Sequence, residues 1–133
     1  MSLGSESITT ISVDSNYRSI FTKSNLDLKG HGDLWISEQQ QAVNFRYRKS
    51  PSNYRSDWHV AGDPTLIIVS HGCLELELQD GSKKQFSAGD RFIAADYLPN
   101  DTPFNPAIHG HRAIVIGEEE FAATHIKLAK RMD

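Results

Sequence analysis

The chain has 133 residues, enough for one domain that buries a core without disulfides or metals. Its 14 Lys and Arg against 17 Asp and Glu give a net charge of −3, which excludes a general basic field for nucleic acid. Cys73 is the single cysteine, which excludes an internal disulfide, and no apolar run reaches the roughly 20 residues that span a bilayer. We therefore expect a cytoplasmic protein without nucleic-acid or membrane partners.

The first segment of the chain, residues 1–16, is rich in Ser and Thr, and we expect a flexible lead-in there. The domain is then expected over residues 17–128, followed by a polar, frayed tail over residues 129–133. Within the domain, residues 25–29 alternate Leu with charged side chains, which predicts a short half-buried strand.

Residues 39–49 also alternate, which predicts a strand with Val43, Phe45 and Tyr47 on one face. The other face contributes to the basic cluster of the chain, which comprises Arg46, Arg48, Lys49 and Arg55. Two interpretations stay open for this cluster: a solvated strand face or dimer rim, or an anchor for an anionic substrate.

The central stretch, residues 58–96, has the pattern of antiparallel β structure. Leu74, Leu76 and Leu78 alternate with glutamates, which predicts a strand with one buried face. Asp80-Gly81 then supplies the positive φ angles of a tight hairpin turn. We count three strands in this stretch.

Residues 97–108 contain three prolines, and because proline lacks a backbone donor we predict a long loop of the kind that often serves as a lid. Residues 111–117 and 123–128 predict two closing strands. Many short strands without a convincing long helix indicate a β-sandwich or barrel.

Two sets of residues in the centre of the chain stand at characteristic spacings. The first set is Asn53, His59, Ala61, Thr65 and Gly72, and the second is Gly81, Ser87, Gly89, Phe92 and Asp96. They follow the motif spacings G-x5-H-x-H-x3,4-E-x6-G and G-x5-P-x-G-x2-H-x3-N. In this the chain resembles the cupin superfamily, in particular its small single-domain RmlC-like members. The resemblance implies an all-β, single-domain jelly-roll barrel (a double-stranded β-helix) that pairs as a homodimer.

The resemblance also implies four metal-ligand positions, which are occupied here by His59, Ala61, Thr65 and Phe92. Only the first is a ligand, so any divalent transition metal should bind weakly, with donors that the rest of a pocket supplies. Some cupins of unassigned function show a Trp-His pair and an Asp followed by Gly-His. In this chain, the residues that resemble these two features are Trp58 and His59 for the pair, and Asp96, Gly110 and His111 for the Asp and Gly-His.

A single pocket is therefore expected between the sheets. Its candidate ligand-binding residues are Trp58, His59, Phe92, Asp96, His109 and His111, and its candidate metal ligands are His59, His111 and Asp96. The histidines can hold a metal, bind or transfer protons without one, or be structural. We predict a protein that binds a small polar molecule, with an isomerase, lyase or oxygenase as the alternative. No catalytic residue is assigned.

Overall fold

The computed structural model describes residues 4–132, and these residues contain ten strands and no helix. The strands are β1 (Ser5–Val13), β2 (Ser19–His31), β3 (Leu34–Ser37), β4 (Ala42–Ser50), β5 (Thr65–His71), β6 (Cys73–Leu78), β7 (Lys83–Ser87), β8 (Arg91–Ala94), β9 (His111–Ile116) and β10 (Phe121–Leu128). A helix long and apolar enough to cross a membrane is absent from the described residues.

The strands form two sheets that face each other. The larger sheet has the order β3-β2-β1-β8-β5-β10-β4, and the smaller one has the order β7-β6-β9. Neighbouring strands are antiparallel except for β1 and β8, which are parallel. The core lies between the sheets, since side chains such as Ile11, Val69 and Phe92 pack against Leu76 and Val115 of the smaller sheet. The predicted fold class, an all-β jelly-roll barrel, is confirmed.

The alternating strand β6 shows how the sequence builds this core. Leu74, Leu76 and Leu78 are buried, while Glu75 and Glu77 remain half-buried on the opposite face. Each buried Leu contributes about 2–3 kcal/mol of transfer free energy, so this strand anchors the smaller sheet.

The predicted lead-in is wrong for the residues that the structure describes there. Strand β1 lies inside the larger sheet between β2 and β8, and its Ile8 and Ile11 are buried. The Thr10 hydroxyl is hydrogen-bonded to the Ser24 hydroxyl at 2.8 Å, so a polar pair is satisfied within the sheet. Thr and Ile favour strands because β-branched side chains fit a pleated surface. The first three residues lie outside the described part of the chain.

The polar tail is also held in place over its described residues. Arg131 donates a hydrogen bond to the carbonyl of Gly62 at 3.0 Å, and its guanidinium lies 3.9 Å from the ring centroid of Tyr97. Met132 packs against the buried Ile8 and Ile93. The expected fraying is therefore wrong for residues 129–132, and Asp133 lies outside the described residues.

The predicted loop, residues 97–108, lies within the connection between β8 and β9, which spans residues 95–110. Gln79 holds it by donating from Nε2 to the carbonyls of Pro106 and His109 at 2.8 and 3.0 Å. His109 is buried within the loop, where its Nδ1 accepts a hydrogen bond from the amide of Asn105 at 3.0 Å. His109 and His111 therefore do not share a strand.

Candidate functional site

The main cavity lies between the two sheets and has a volume of about 490 Å³. Its polar lining includes Arg48, Tyr54, Asp57, His59, His111 and His125, and its apolar lining includes Ile67, Leu74, Leu76, Phe92 and Phe121. Apolar walls with a few convergent polar groups are typical of small-molecule sites, and the volume falls in their usual range of roughly 300–1,000 Å³.

Two of the polar groups, His59 and His111, form a cross-strand pair. The segment that contains His59 runs antiparallel to β9, and the two residues exchange both backbone hydrogen bonds at 2.9 Å. Directly opposed residues of this kind point their side chains to the same face. The two imidazole centroids accordingly lie 4.5 Å apart.

Gly110 makes this close pairing possible. Its φ is 85°, a conformation that residues with a Cβ rarely adopt. A Cβ at this position would also lie 2.5 Å from the carbonyl oxygen of His59. The glycine therefore allows the backbone of His59 to approach the start of β9.

Asp96 lies behind the pair and is fully buried. Its Oδ2 accepts hydrogen bonds from the Ser19 hydroxyl and from Nδ1 of His111, both at 2.7 Å. Its Oδ1 accepts one from the amide of Ala61 at 2.9 Å. Burial acts to raise the pKa of Asp96, but the hydrogen bond and charge of His111 and the two other donors outweigh it and lower the pKa. The side chain is thus a carboxylate at neutral pH.

The carboxylate of Asp96 fixes the tautomer of His111. Because a carboxylate only accepts hydrogen bonds, Nδ1 of His111 carries a proton. Nε2 is therefore the ring nitrogen that His111 can offer to a molecule in the cavity.

A backbone carbonyl fixes the tautomer of His59 in the same way. Its Nδ1 lies 2.8 Å from the carbonyl oxygen of Asp57, which can only accept, so Nδ1 carries the proton. Burial is the main cause that lowers the pKa of His59, and the charges of His111 and Arg48 lower it further. The hydrogen bond to Asp57 and the charge of Asp96 oppose this. A neutral His59 offers the lone pair of Nε2.

A second group of basic side chains lies on the β4–β10 side of the cavity. His125 in β10 is paired in register with Arg46 in β4, and Ala123 is paired with Arg48. Burial lowers the pKa of His125 to about 4, and the charges of Arg48 and Arg46 add to that effect. His125 is therefore neutral at pH 7.

The predicted site residues divide into two groups. His59, Phe92 and His111 line the cavity, whereas Trp58, Asp96 and His109 do not. Trp58 instead lies beneath Arg112, whose guanidinium carbon is 4.6 Å from the ring centroid. The expectation that all six residues share one pocket is therefore wrong for these three.

His125 lines the cavity although we did not predict it there. Alternate residues of a strand share a face, so His125 lies on the same side of β10 as the fully buried Ala123, but the sequence alone does not show which face of that strand meets the cavity.

The proposed metal ligands do not fit a metal ion. Both oxygens of Asp96 are occupied by donors, and the carboxylate lies behind His111 instead of in the cavity. Asp96 is thus placed to orient the imidazole of His111 and not to bind a metal ion beside it. Among residues 4–132, no three His, Cys, Asp or Glu side chains form a group that could hold a metal ion.

Comparison with protein-family models and with characterised protein sequences finds no match. Among solved structures, the Schizosaccharomyces pombe Cnp3 cupin domain is 10% identical with a TM-score of 0.49, over 94% of this chain and 88% of that one. A cupin domain from Bordetella pertussis is 16% identical with a TM-score of 0.48, over 71% of this chain and 100% of that one. A cupin-2 domain protein from Shewanella frigidimarina is 16% identical with a TM-score of 0.45, over 68% and 79%.

These similarities concern the fold alone, because the sequence identities are far too low to carry a function. The chain itself has an all-β fold of two facing sheets.

Proposed function

We propose that this protein binds a small polar organic molecule in the cavity between its sheets, with His59 and His111 as the main recognition groups. The observation that supports this proposal is the paired arrangement of the two imidazoles. Each has its Nδ1 hydrogen-bonded to an acceptor of the protein, so each has Nε2 left for a ligand. Two such nitrogens on one face of the cavity suit a hydroxyl or other hydrogen-bond donor.

The surroundings of the pair support binding in a fixed geometry. Asp96 holds His111 from a fully buried position, and the Ser19 hydroxyl and the Ala61 amide hold Asp96 in turn. A ligand therefore meets side chains that are already ordered, which reduces the entropic cost of binding.

The same contacts favour an acid–base enzyme as the second candidate. A buried carboxylate that is hydrogen-bonded to Nδ1 orients the imidazole and stabilises its protonated form, which lets Nε2 accept a proton from a substrate. An isomerase or lyase of this type would need no metal. Turnover of a bound compound that is lost in His111→Gln, while binding persists, would select this candidate over simple binding.

The test of binding is a titration of protein with selectively ¹⁵N-labelled histidines against a panel of small hydroxylated compounds. We expect the Nε2 resonances of His59 and His111 to shift together, and His59→Ala and His111→Ala to weaken binding about tenfold each. His71 is the matched control, because it is exposed and paired with Glu119 at 2.9 Å. Equal affinity in wild type and both cavity variants would overturn the proposal.

A second measurement addresses the metal. Because the donor set does not fit an ion, we expect protein dialysed against a chelator to keep the same ligand affinity as untreated protein. A stoichiometric metal that survives this dialysis, found by elemental analysis, would contradict our assessment of the donors and would favour an oxygenase.

A further inference from the structure

The β4–β10 side of the cavity carries a cationic side chain without a counterion. Within residues 4–132, the side chain of Arg48 makes no ion pair and no hydrogen bond, although Lys49 beside it is paired with Glu120 at 3.0 Å. The in-register partner of Arg48 is Ala123, which is fully buried on the cavity side of β10. Arg48 therefore lies on the face of β4 that lines the cavity.

His125 adds a second donor beside Arg48. Its Nδ1 is enclosed by protein and has no hydrogen-bond partner in the described part of the chain. A bare acceptor nitrogen is tolerated in such a position more readily than an N–H without a partner. The proton of the neutral ring therefore belongs on Nε2, which leaves His125 as a donor where it lines the cavity.

The cavity thus carries two unlike sets of polar groups. Donors and positive charge lie at Arg48 and His125, whereas the Nε2 atoms of His59 and His111 act as acceptors in their neutral forms. Apolar side chains such as Phe92 and Leu76 line the rest of the cavity. Among the described residues, the carboxylate that lines the cavity is Asp57, which belongs to the segment of His59 and not to β4 or β10.

On this basis, and resting on the proposed function, we propose that the ligand is a small carboxylate with a hydroxyl group at its other end. The carboxylate accepts hydrogen bonds from the Arg48 guanidinium and from Nε2 of His125. The hydroxyl donates to Nε2 of His59 or His111, and the carbon chain between the two groups contacts the apolar walls. Arg is suited to this role because its planar fork matches the geometry of a carboxylate.

The test uses three matched series of compounds with increasing chain length: ω-hydroxycarboxylates, the corresponding α,ω-diols, and the corresponding unsubstituted carboxylates. Binding is measured by isothermal titration calorimetry with the full chain at neutral pH. The variants are Arg48→Gln and, as the matched control, Lys49→Gln, which removes one positive charge from the same strand outside the cavity.

We expect one chain length of hydroxycarboxylate to bind about tenfold more tightly than its diol, since a charge-assisted hydrogen bond replaces a neutral one. Arg48→Gln should abolish that difference and leave the diol affinity unchanged, while Lys49→Gln keeps it. Diols that bind as tightly as hydroxycarboxylates would overturn the anionic class while the proposed function stands. Absence of binding by all three series, charged and neutral, would instead count against the proposed function itself.

Discussion

Substitution of Asp96 by Asn tests whether the buried carboxylate holds His111 in place, because the two side chains have the same shape and differ in charge and in one donor group. The carboxylate accepts from three groups, two at Oδ2 and one at Oδ1. An amide can accept at one of these two positions only. If its oxygen occupies the Oδ2 position, its NH₂ faces the amide N–H of Ala61. If it occupies the Oδ1 position, the NH₂ faces Nδ1 of His111, which must then lose its proton.

The expected cost follows from the complete burial of this cluster. A buried donor left without its acceptor costs about 1–3 kcal/mol, and more where the lost acceptor is charged. Most single domains are stable by about 5–15 kcal/mol, so Asp96→Asn should lose a large part of the free energy of unfolding. The exposed Asp63, which lies 3.3 Å from Nζ of Lys127, is the control, and Asp63→Asn should cost less than about 1 kcal/mol.

Urea unfolding at pH 7 with linear extrapolation measures both variants. Ring ¹⁵N shifts should in addition show the proton of His111 moving from Nδ1 towards Nε2 in Asp96→Asn. The pH dependence of stability provides a further check. Because folding lowers the pKa of Asp96 from 3.8, the stabilisation that its carboxylate provides is present above about pH 4 and is lost as the pH falls below that. A variant within about 1 kcal/mol of wild type, with unchanged His111 shifts, would refute this reasoning.

Three further predictions follow from other residues. Gly110→Ala should destabilise the protein by about 2–4 kcal/mol in urea unfolding and lose ligand binding, because the added Cβ meets the His59 carbonyl. Gly62→Ala is the control: Gly62 also has a positive φ, but a Cβ there meets no atom within 4 Å, so this variant measures the backbone strain without the clash. The pKa of His125 is about 4 in the folded chain against 6.5 unfolded, so the unfolded chain binds more protons between these pH values. Stability should therefore fall by about 1–2 kcal/mol, after allowance for solvent screening, as the pH drops from 6.5 to 4. Scanning calorimetry of His125→Phe should show a weaker dependence of stability on pH, and an unchanged dependence would contradict this cause. Phe45 is 75% exposed on the edge strand β4, and because exposed apolar edge strands tend to pair, we expect a homodimer that Phe45→Lys dissociates. A monomeric mass of the wild type by light scattering at micromolar concentration would count against this prediction.

Local patterns predicted the fold where one face of a strand is buried and the turn residues are distinctive. The alternation of Leu74, Leu76 and Leu78 and the glycine at position 81, with φ of 89°, are both found as the sequence indicated. The first strand was missed because its Ser and Thr residues obscure the buried Ile positions. Its parallel pairing with β8 joins residues far apart in sequence, and no local pattern encodes that neighbour.

The site was predicted less completely because it depends on which strands become neighbours. Trp58 and His59 were both assigned to the pocket, yet adjacent residues of an extended segment point to opposite sides, so only one of them can enter. The position of His125 in the cavity required the pairing of β10 with β4 and β5, which appears only in the folded chain. Asp96 was found by its spacing, but its role as a buried support for His111 depends on a contact that spacing does not show.

The central claim is that the cavity at His59 and His111 recognises a small polar molecule. Its most direct test is a two-dimensional NMR titration of ¹⁵N-labelled protein with the ω-hydroxycarboxylate, α,ω-diol and unsubstituted carboxylate series. We predict saturable shifts of the ring nitrogens of His59, His111 and His125, with the Trp58 indole and the His109 ring unaffected because they lie outside the cavity. Saturable shifts confined to Trp58 or His109, or no shifts in the cavity histidines with any member of the series, would contradict the claim.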